Sequence, residues 1–245
     1  MQRYYLLCTL FSCILSVSEV KGQAQEYIIN GGFETLSSCP VEPGEIILAT
    51  GWQGNEGTPD FLHTCSEQHR DSMDILGNFV GYRKAYEGKG YAGLYLLRYS
   101  SDQKENYNYA SHELIYSKLS QPLTVGTVYH VRFYLSLADS SFIKSDSIYV
   151  SFSTKTVFNK YYQLIEPDFY KGIKIPNQHQ WELFELDITA TEPFIYCYIG
   201  LPRKALTRKK YHSIIENGLQ RGKFLRKQIL LAYYFIDNVS LTEQK

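Results

Sequence analysis

The sequence predicts an all-β protein, an antiparallel sandwich of jelly-roll type, and three observations carry that prediction. Runs such as 147–153 and 181–188 alternate apolar and polar residues with the period of two that a half-buried strand requires. About eight runs of this kind are separated by clusters of Gly, Pro, Asn, Asp and Ser, with no strand–helix–strand rhythm between them. Tyrosine and phenylalanine, at 22 and 13 residues against two tryptophans, supply the aromatic content that strands favour.

Taken in order, the run 27–34 reads as the first strand and carries Glu34. Residues 35–80 are rich in turn formers and read as a long loop region around two short elements, 45–50 and 59–63. Strands are expected at 91–98, 111–119, 128–137, 147–153, 181–188, 195–201 and 233–241, with 157–178 as a loop. Trp181, at the head of an alternating run, is expected in the core. The last strand carries Asp237. First and last strands of a sandwich often lie side by side, which would bring Glu34 and Asp237 to one place.

Residues 1–22 have a positive start, an apolar centre from Tyr4 to Val20 and small residues at the exit, the pattern of a secretory signal peptide cleaved near 22–24. At about 15 apolar or small residues, that centre is short for a membrane span. The remainder, 23–245, is expected to form a single domain, exported and not membrane-spanning. Beyond the leader lie Cys39, Cys65 and Cys197. Cys39 and Cys65 sit in loop-like surroundings and are expected to pair, a cross-link worth about 3 kcal/mol. Cys197, in Phe-Ile-Tyr-Cys-Tyr-Ile-Gly, reads as a buried small apolar group.

The near-neutral total charge hides an asymmetry. Between 203 and 227 stand nine bases, Arg203, Lys204, Arg208, Lys209, Lys210, Arg221, Lys223, Arg226 and Lys227, against one acid, Glu216. The rest of the exported chain is therefore acidic. Tyr211 opens a stretch to Leu219 able to form a short helix, stopped by Gly218 or Gly222. This basic insertion fits phosphate, an anionic glycan, lipid head groups or a protein partner, or else is a solvated hairpin. Export and the absence of any recognised nucleic-acid motif argue against nucleic acid.

No Gly-x-Ser-x-Gly elbow, His-Glu-x-x-His pair, phosphate loop or dinucleotide fingerprint occurs, and the six histidines are scattered. No residue is assigned a catalytic role.

The two ends, Asn30-Gly-Gly-Phe-Glu34 and Phe235-Ile-Asp-Asn-Val239, resemble the termini of carbohydrate-binding jelly rolls with the galactose-binding-like fold. Ser38-Cys-Pro40, Ala49-Thr-Gly-Trp52, Gly57-Thr-Pro-Asp60, Thr64-Cys65, Asn78-Phe-Val-Gly-Tyr82, Gly90-Tyr-Ala-Gly93, Glu113-Leu-Ile115 and Leu135-Ser-Leu-Ala-Asp139 extend the likeness. They resemble, in order, a module of Bacteroidota cell-envelope proteins often followed by an OmpA-like domain. The sequence here carries no OmpA-like segment, and the basic insertion departs from the pattern.

The resemblance implies a structural calcium ion held by Asn30, Glu34 and Asp237, with backbone carbonyls completing a hard-oxygen shell. The alternative is a pair of solvated acids, or a hydrogen-bonded Glu34. For a glycan, the sequence offers loop aromatics beside polar groups: Trp52, Tyr82, Tyr86 and Tyr91 with Asp60, His63 and Asn78. Trp52 and Tyr91 fit better as a satellite core under the stapled loop than as a sugar platform. The reading is an exported, non-catalytic cell-envelope module that recognises glycan. A structural subunit docking on an envelope protein through its basic segment is the alternative, and a glycan hydrolase the third.

Overall fold

A computed structural model describes residues 24–55, 57–68, 80–81, 83–100, 112–156, 167–175, 179–219 and 229–244. The leader, Asn78, Tyr82, Arg221, Lys223, Arg226 and Lys227 lie outside the described residues. Ten strands are described: β1 Trp52–Asn55, β2 Asp60–His63, β3 Gly90–Ser100, β4 Leu114–Lys118, β5 Val128–Leu137, β6 Ser147–Ser153, β7 Phe169–Lys174, β8 Glu182–Thr189, β9 Tyr196–Gly200 and β10 Ile229–Glu243. One α-helix, α1, spans Arg208–Leu219.

The strands form two five-stranded sheets, in the orders β1-β4-β9-β6-β7 and β2-β3-β10-β5-β8. Every described pairing is antiparallel. The chain passes repeatedly from one sheet to the other, which is the jelly-roll sandwich expected from the alternating runs. Alternation is plain in β5, where Tyr129, Val131, Phe133 and Leu135 are buried and their neighbours are less so. These residues meet Leu94, Leu96 and Ile236 of their own sheet and Ile115, Val150, Phe152 and Ile199 of the other in one core. Burying each such side chain is worth about 1.5–3 kcal/mol.

Three elements differ from expectation. The run 27–34 is not a strand. Its Asn-Gly-Gly turn formers bend it, with Asn30 and Phe33 both at φ 57°. It is stitched to β10 by single contacts, Tyr27 N–H to Leu241 O and Val239 N–H to Gly31 O, each 2.9 Å. Gly31 is required there, because a Cβ would stand 1.8 Å from the Val239 carbonyl oxygen. The short element expected at 45–50 is a 3-10 turn over Ile46–Leu48, with β1 following it. Within the expected loop 157–178 lies β7, whose mostly solvent-facing Phe-Tyr-Lys-Gly-Ile-Lys lacks the apolar rhythm because it is an edge strand.

The helix, finally, begins three residues before Tyr211, and it is no solvated hairpin. Tyr211, Ile214 and Ile215, with Leu206 just ahead, are buried in the central core. The Cys39–Cys65 disulfide is present, its Cα atoms 5.8 Å apart, and Cys197 is buried and unpaired. Among the described residues no helix is long and apolar enough to cross a membrane.

Candidate functional site

Glu34 and Asp237 do meet, across one tight turn. Lys89 and Gly90 N–H donate to Glu34 Oε1 at 2.7 and 3.0 Å. Tyr86 and Glu87 N–H donate to Asp237 Oδ2 at 2.8 and 3.2 Å, and Asn238 N–H donates to Oδ1 at 2.6 Å. Gly88, at the centre with φ +68°, leaves room for the Glu34 carboxylate, which a Cβ would strike at 2.3 Å. Asp237 is buried, and burial, helped by the nearby Glu34 charge, pushes its carboxyl up to about 7 against the pull of those amide bonds.

Asn30 points elsewhere. Its Nδ2 donates to the Thr35 and Thr50 carbonyls, its Oδ1 accepts from Thr35 N–H at 2.9 Å, and its own carbonyl accepts from Trp52 Nε1 at 2.8 Å. Among the described residues no group of three or more His, Cys, Asp or Glu could hold a metal ion. Of the five side-chain oxygens expected to face calcium, all but Glu34 Oε2 accept backbone amides. As placed, Glu34 and Asp237 form an amide-held clamp, with Asn30 turned to the Thr35 and Thr50 backbone.

Of the loop residues expected to face a sugar, Trp52, Asp60, His63 and Tyr91 are inside the fold, while Tyr86 is 42% exposed. Trp52 is 1% exposed and stacks on Phe33 with ring centroids 4.8 Å apart. Tyr91 is fully buried, donates to the Arg83 carbonyl at 2.8 Å and packs edge-on against Trp181 and Phe235. His63 is buried and accepts from Cys65 N–H at 3.1 Å, its imidazole held below the usual range by burial. Trp52 joins the central core, whereas Tyr91 belongs to a satellite cluster with Leu62, Val80, Tyr233 and Phe235. Trp181 belongs to such a satellite rather than to the central core.

Asp60 is buried beside Glu113, which the resemblance marks only as part of Glu113-Leu-Ile115 and to which no site role was expected. Asp60 accepts from Gly44 N–H at 2.7 Å and from the Tyr233 hydroxyl. Glu113 accepts from Thr58 N–H at 2.6 Å and Tyr95 N–H at 2.9 Å. Burial lifts Asp60 to about 6; burial and, secondarily, the Asp60 charge lift Glu113 to about 8. A pocket of about 240 Å3 lined by Thr58, Tyr95, Arg98 and Tyr233 opens on Asp60. Every oxygen of the two carboxyls is bonded, so the pair ties loop to sheet.

A second aromatic face, buried at Tyr116, Tyr198 and Ser151 and partly exposed at Tyr196, Tyr149 and Tyr170, lies on the other sheet. Registers place Gln53 opposite Tyr116, Tyr116 opposite Tyr198, Tyr198 opposite Ser151 and Ser151 opposite Tyr170, one row crossing all five strands. Lys118 pairs with Tyr196 in the next row, and Tyr149 with Gly172 on the far side. The alternate residues Ile115, Cys197, Ile199 and Val150 belong to the core, so this row faces outward.

Tyr116 and Tyr198 form the floor, with ring centroids 5.0 Å apart, while Tyr196 and Tyr149 are half-buried and Tyr170 is 41% exposed. At one end a pocket of about 280 Å3 is walled by Tyr116, Tyr196 and the edge of Trp52, with Gln53, Lys118 and Thr156 at its rim. The Tyr116 hydroxyl donates to Gln53 Oε1. A signal for this face was available: period-two alternation puts Tyr196 and Tyr198 on one side of their strand and Cys197 on the other.

Of the basic segment, Arg203 and Lys204 lie in a short 3-10 turn and Arg208, Lys209 and Lys210 open α1. Three cations and no acid in a first turn run against the helix dipole, costing about 0.3–1 kcal/mol each where unpaired. Lys210 offsets its share through Asp146 at 2.9 Å.

No protein-family model matches the chain, and no curated protein matches it. Solved structures do. The CBM22-1 xylan-binding domain from Paenibacillus barcinonensis matches at a TM-score of 0.43 and 10% identity, covering 91% of this chain and 97% of that one. The K2 cleaved adhesin domain of Lys-gingipain matches at 0.43 and 13%, covering 87% and 97%. The enzymatically active domain of bacteriophage CBA120 tailspike protein 4 matches at 0.38 and 8%, where 86% of this chain spans only 22% of that one.

Proposed function

We propose that the protein is an exported, non-catalytic module of the cell envelope that binds a glycan on the outer face of the β1-β4-β9-β6-β7 sheet. The observation that carries this is the pocket at Tyr116 and Tyr196, together with the partly exposed rings of Tyr149 and Tyr170 further across the same face. A sugar ring needs an aromatic face for its C–H groups and fixed polar groups for its hydroxyls. Tyr196 and Tyr170 supply the first, and Gln53, Lys118 and the tyrosine hydroxyls the second. The face is broad and fixed by strand register, which suits a chain of sugars better than a single ring. A disulfide of this kind belongs to an oxidising compartment, which supports export.

Binding rather than hydrolysis is proposed because the buried carboxyls Asp60 and Glu113 are spent on backbone and tyrosine donors. The test is a glycan array on the purified protein, repeated with Tyr196→Ala. Discrete neutral-glycan hits that weaken about tenfold in the variant are expected. Hits that ignore Tyr196 and Tyr170 alike, or release of product from a bound polysaccharide, would overturn the proposal.

A further inference from the structure

A second recess lies away from the tyrosine row, where the β5–β6 connection, the end of β7 and the first turns of α1 converge. It encloses about 590 Å3, within the range of small-molecule sites. Its walls carry Lys144, Lys174, Lys209 and Lys210 against a single carboxylate, Asp146. Three separate segments contribute these lysines, so the cluster is assembled by the fold and is not the mere run of bases in the sequence.

The ammonium groups are not equivalent. Lys210 is fixed by Asp146 at 2.9 Å and lies over the Tyr149 ring, 5.1 Å from its centroid. Lys174 and Lys209 are exposed and form no ion pair among the described residues. Lys209 also stands at the positive end of the α1 dipole, where an anion is favoured twice, by the helix and by the lysines. Ser213 and Asn217 add hydrogen-bonding groups one and two turns further along α1. At the rim Phe142 is 62% exposed, an aromatic face beside a cationic pocket.

We infer that this recess binds the charged group of an acidic sugar, a carboxylate or sulfate held by Lys174 and Lys209 while its ring lies against Phe142. The inference rests on the glycan reading above and assigns it a second subsite of defined charge. A recessed pocket with an aromatic lip favours a compact ring with one anionic substituent over a flat lipid surface.

The experiment is isothermal titration calorimetry of the purified protein with oligogalacturonate and its neutral methyl ester, and with chondroitin sulfate oligosaccharides and their desulfated form. Binding of at least one acidic member, at least tenfold tighter than its neutral counterpart and weakening as salt rises, is expected. The double variant Lys174→Ala/Lys209→Ala should lose at least tenfold for that acidic ligand while keeping its neutral-glycan affinity. Phe142→Ala should weaken binding without changing the salt dependence.

Equal binding of acidic and neutral forms, or a double variant that binds as the parent does, would overturn the inference. So would capture by phosphatidylserine vesicles with the same lysine dependence and no acidic-sugar binding. Neutral binding through Tyr196 with no acidic binding removes this subsite alone. Absence of binding to either class removes both readings.

Discussion

The two sheets turn aromatic rings outward in similar number and use them oppositely. On β2-β3-β10-β5-β8, Tyr91, Tyr233 and Phe235 point away from the central core yet are at most 1% exposed. Val80, Ala85 and Trp181 lie over them, pinned by Trp181 Nε1–H to the Lys84 carbonyl at 2.8 Å and Tyr91 Oη–H to the Arg83 carbonyl. On β1-β4-β9-β6-β7, Tyr196, Tyr149 and Tyr170 keep part of each ring in solvent. Both faces even seat a tyrosine over a glycine: Tyr233 over Gly93 and Tyr149 over Gly172. Tyr116 and Tyr198 are buried on this second face too, so the two faces differ not in composition but in whether the rings around that buried centre stay partly exposed.

That contrast is open to direct attack. Tyr91→Ala removes a fully buried ring and its hydrogen bond from the roofed face and should cost about 3–5 kcal/mol, read by chemical denaturation. Its glycan affinity per folded molecule should not change. Tyr196→Ala on the open face should do the reverse, with stability nearly unaltered and affinity falling about tenfold, equivalent to ~1.4 kcal/mol. If both variants lose stability alike and neither loses binding, the two faces are the same kind of surface and the comparison collapses.

Beneath the roofed face, Asp60 sharpens it through pH. Buried acids whose folded-state carboxyls titrate high hold protons that the unfolded chain has released, so stability falls as pH rises between the two values. For Asp60 that window runs from the ordinary 3.8 to about 6, and for Glu113 from 4.5 to about 8. The melting temperature should therefore decline from about pH 4 to pH 8, with Asp237, raised from 3.8 to about 7, adding to the fall. Asp60→Asn keeps an acceptor for Gly44 N–H and lets the Tyr233 hydroxyl turn to accept, so it should flatten the lower part of the slope and leave the rest to Asp237 and Glu113. An unchanged slope from pH 4 to 6 would mean that Asp60 does not carry it.

Most of the sandwich was legible because strands buried on one face must alternate, and β5, β6, β8 and β9 do. The edge strand β7 was not, since it buries little and has no reason to alternate. The opening run misled for the opposite reason: Tyr27 and Ile28 are core residues, but Asn30 and Phe33 in left-handed conformations break the extension. Burial of Trp52 and Tyr91 agrees with the core alternative, while His63 differs because a loop position does not imply exposure. Beyond the alternation of Tyr196 and Tyr198, the tyrosine row was not legible because it exists only across strands, in register between Tyr116, Tyr198, Ser151 and Tyr170.

The clamp at Glu34 and Asp237 supplies the smallest effect, and it borders the roofed face through Tyr86 and Glu87. Five backbone N–H groups already neutralise the two carboxylates, each bond to a charged acceptor being worth about 1.5–3 kcal/mol when no partner is left stranded. Calcium would have to displace or share those bonds, so millimolar calcium should move the melting temperature by no more than about one degree, given roughly 2–4 °C per kcal/mol at this size. Glu34→Gln retains an oxygen for Lys89 and Gly90 N–H, loses the charge, and should melt slightly lower whether or not calcium is present. A rise of several degrees in the parent that vanishes in Glu34→Gln would instead place a metal at the clamp and make the amides its second line of support, because only an ion drawing on that carboxylate could lose its effect with the charge.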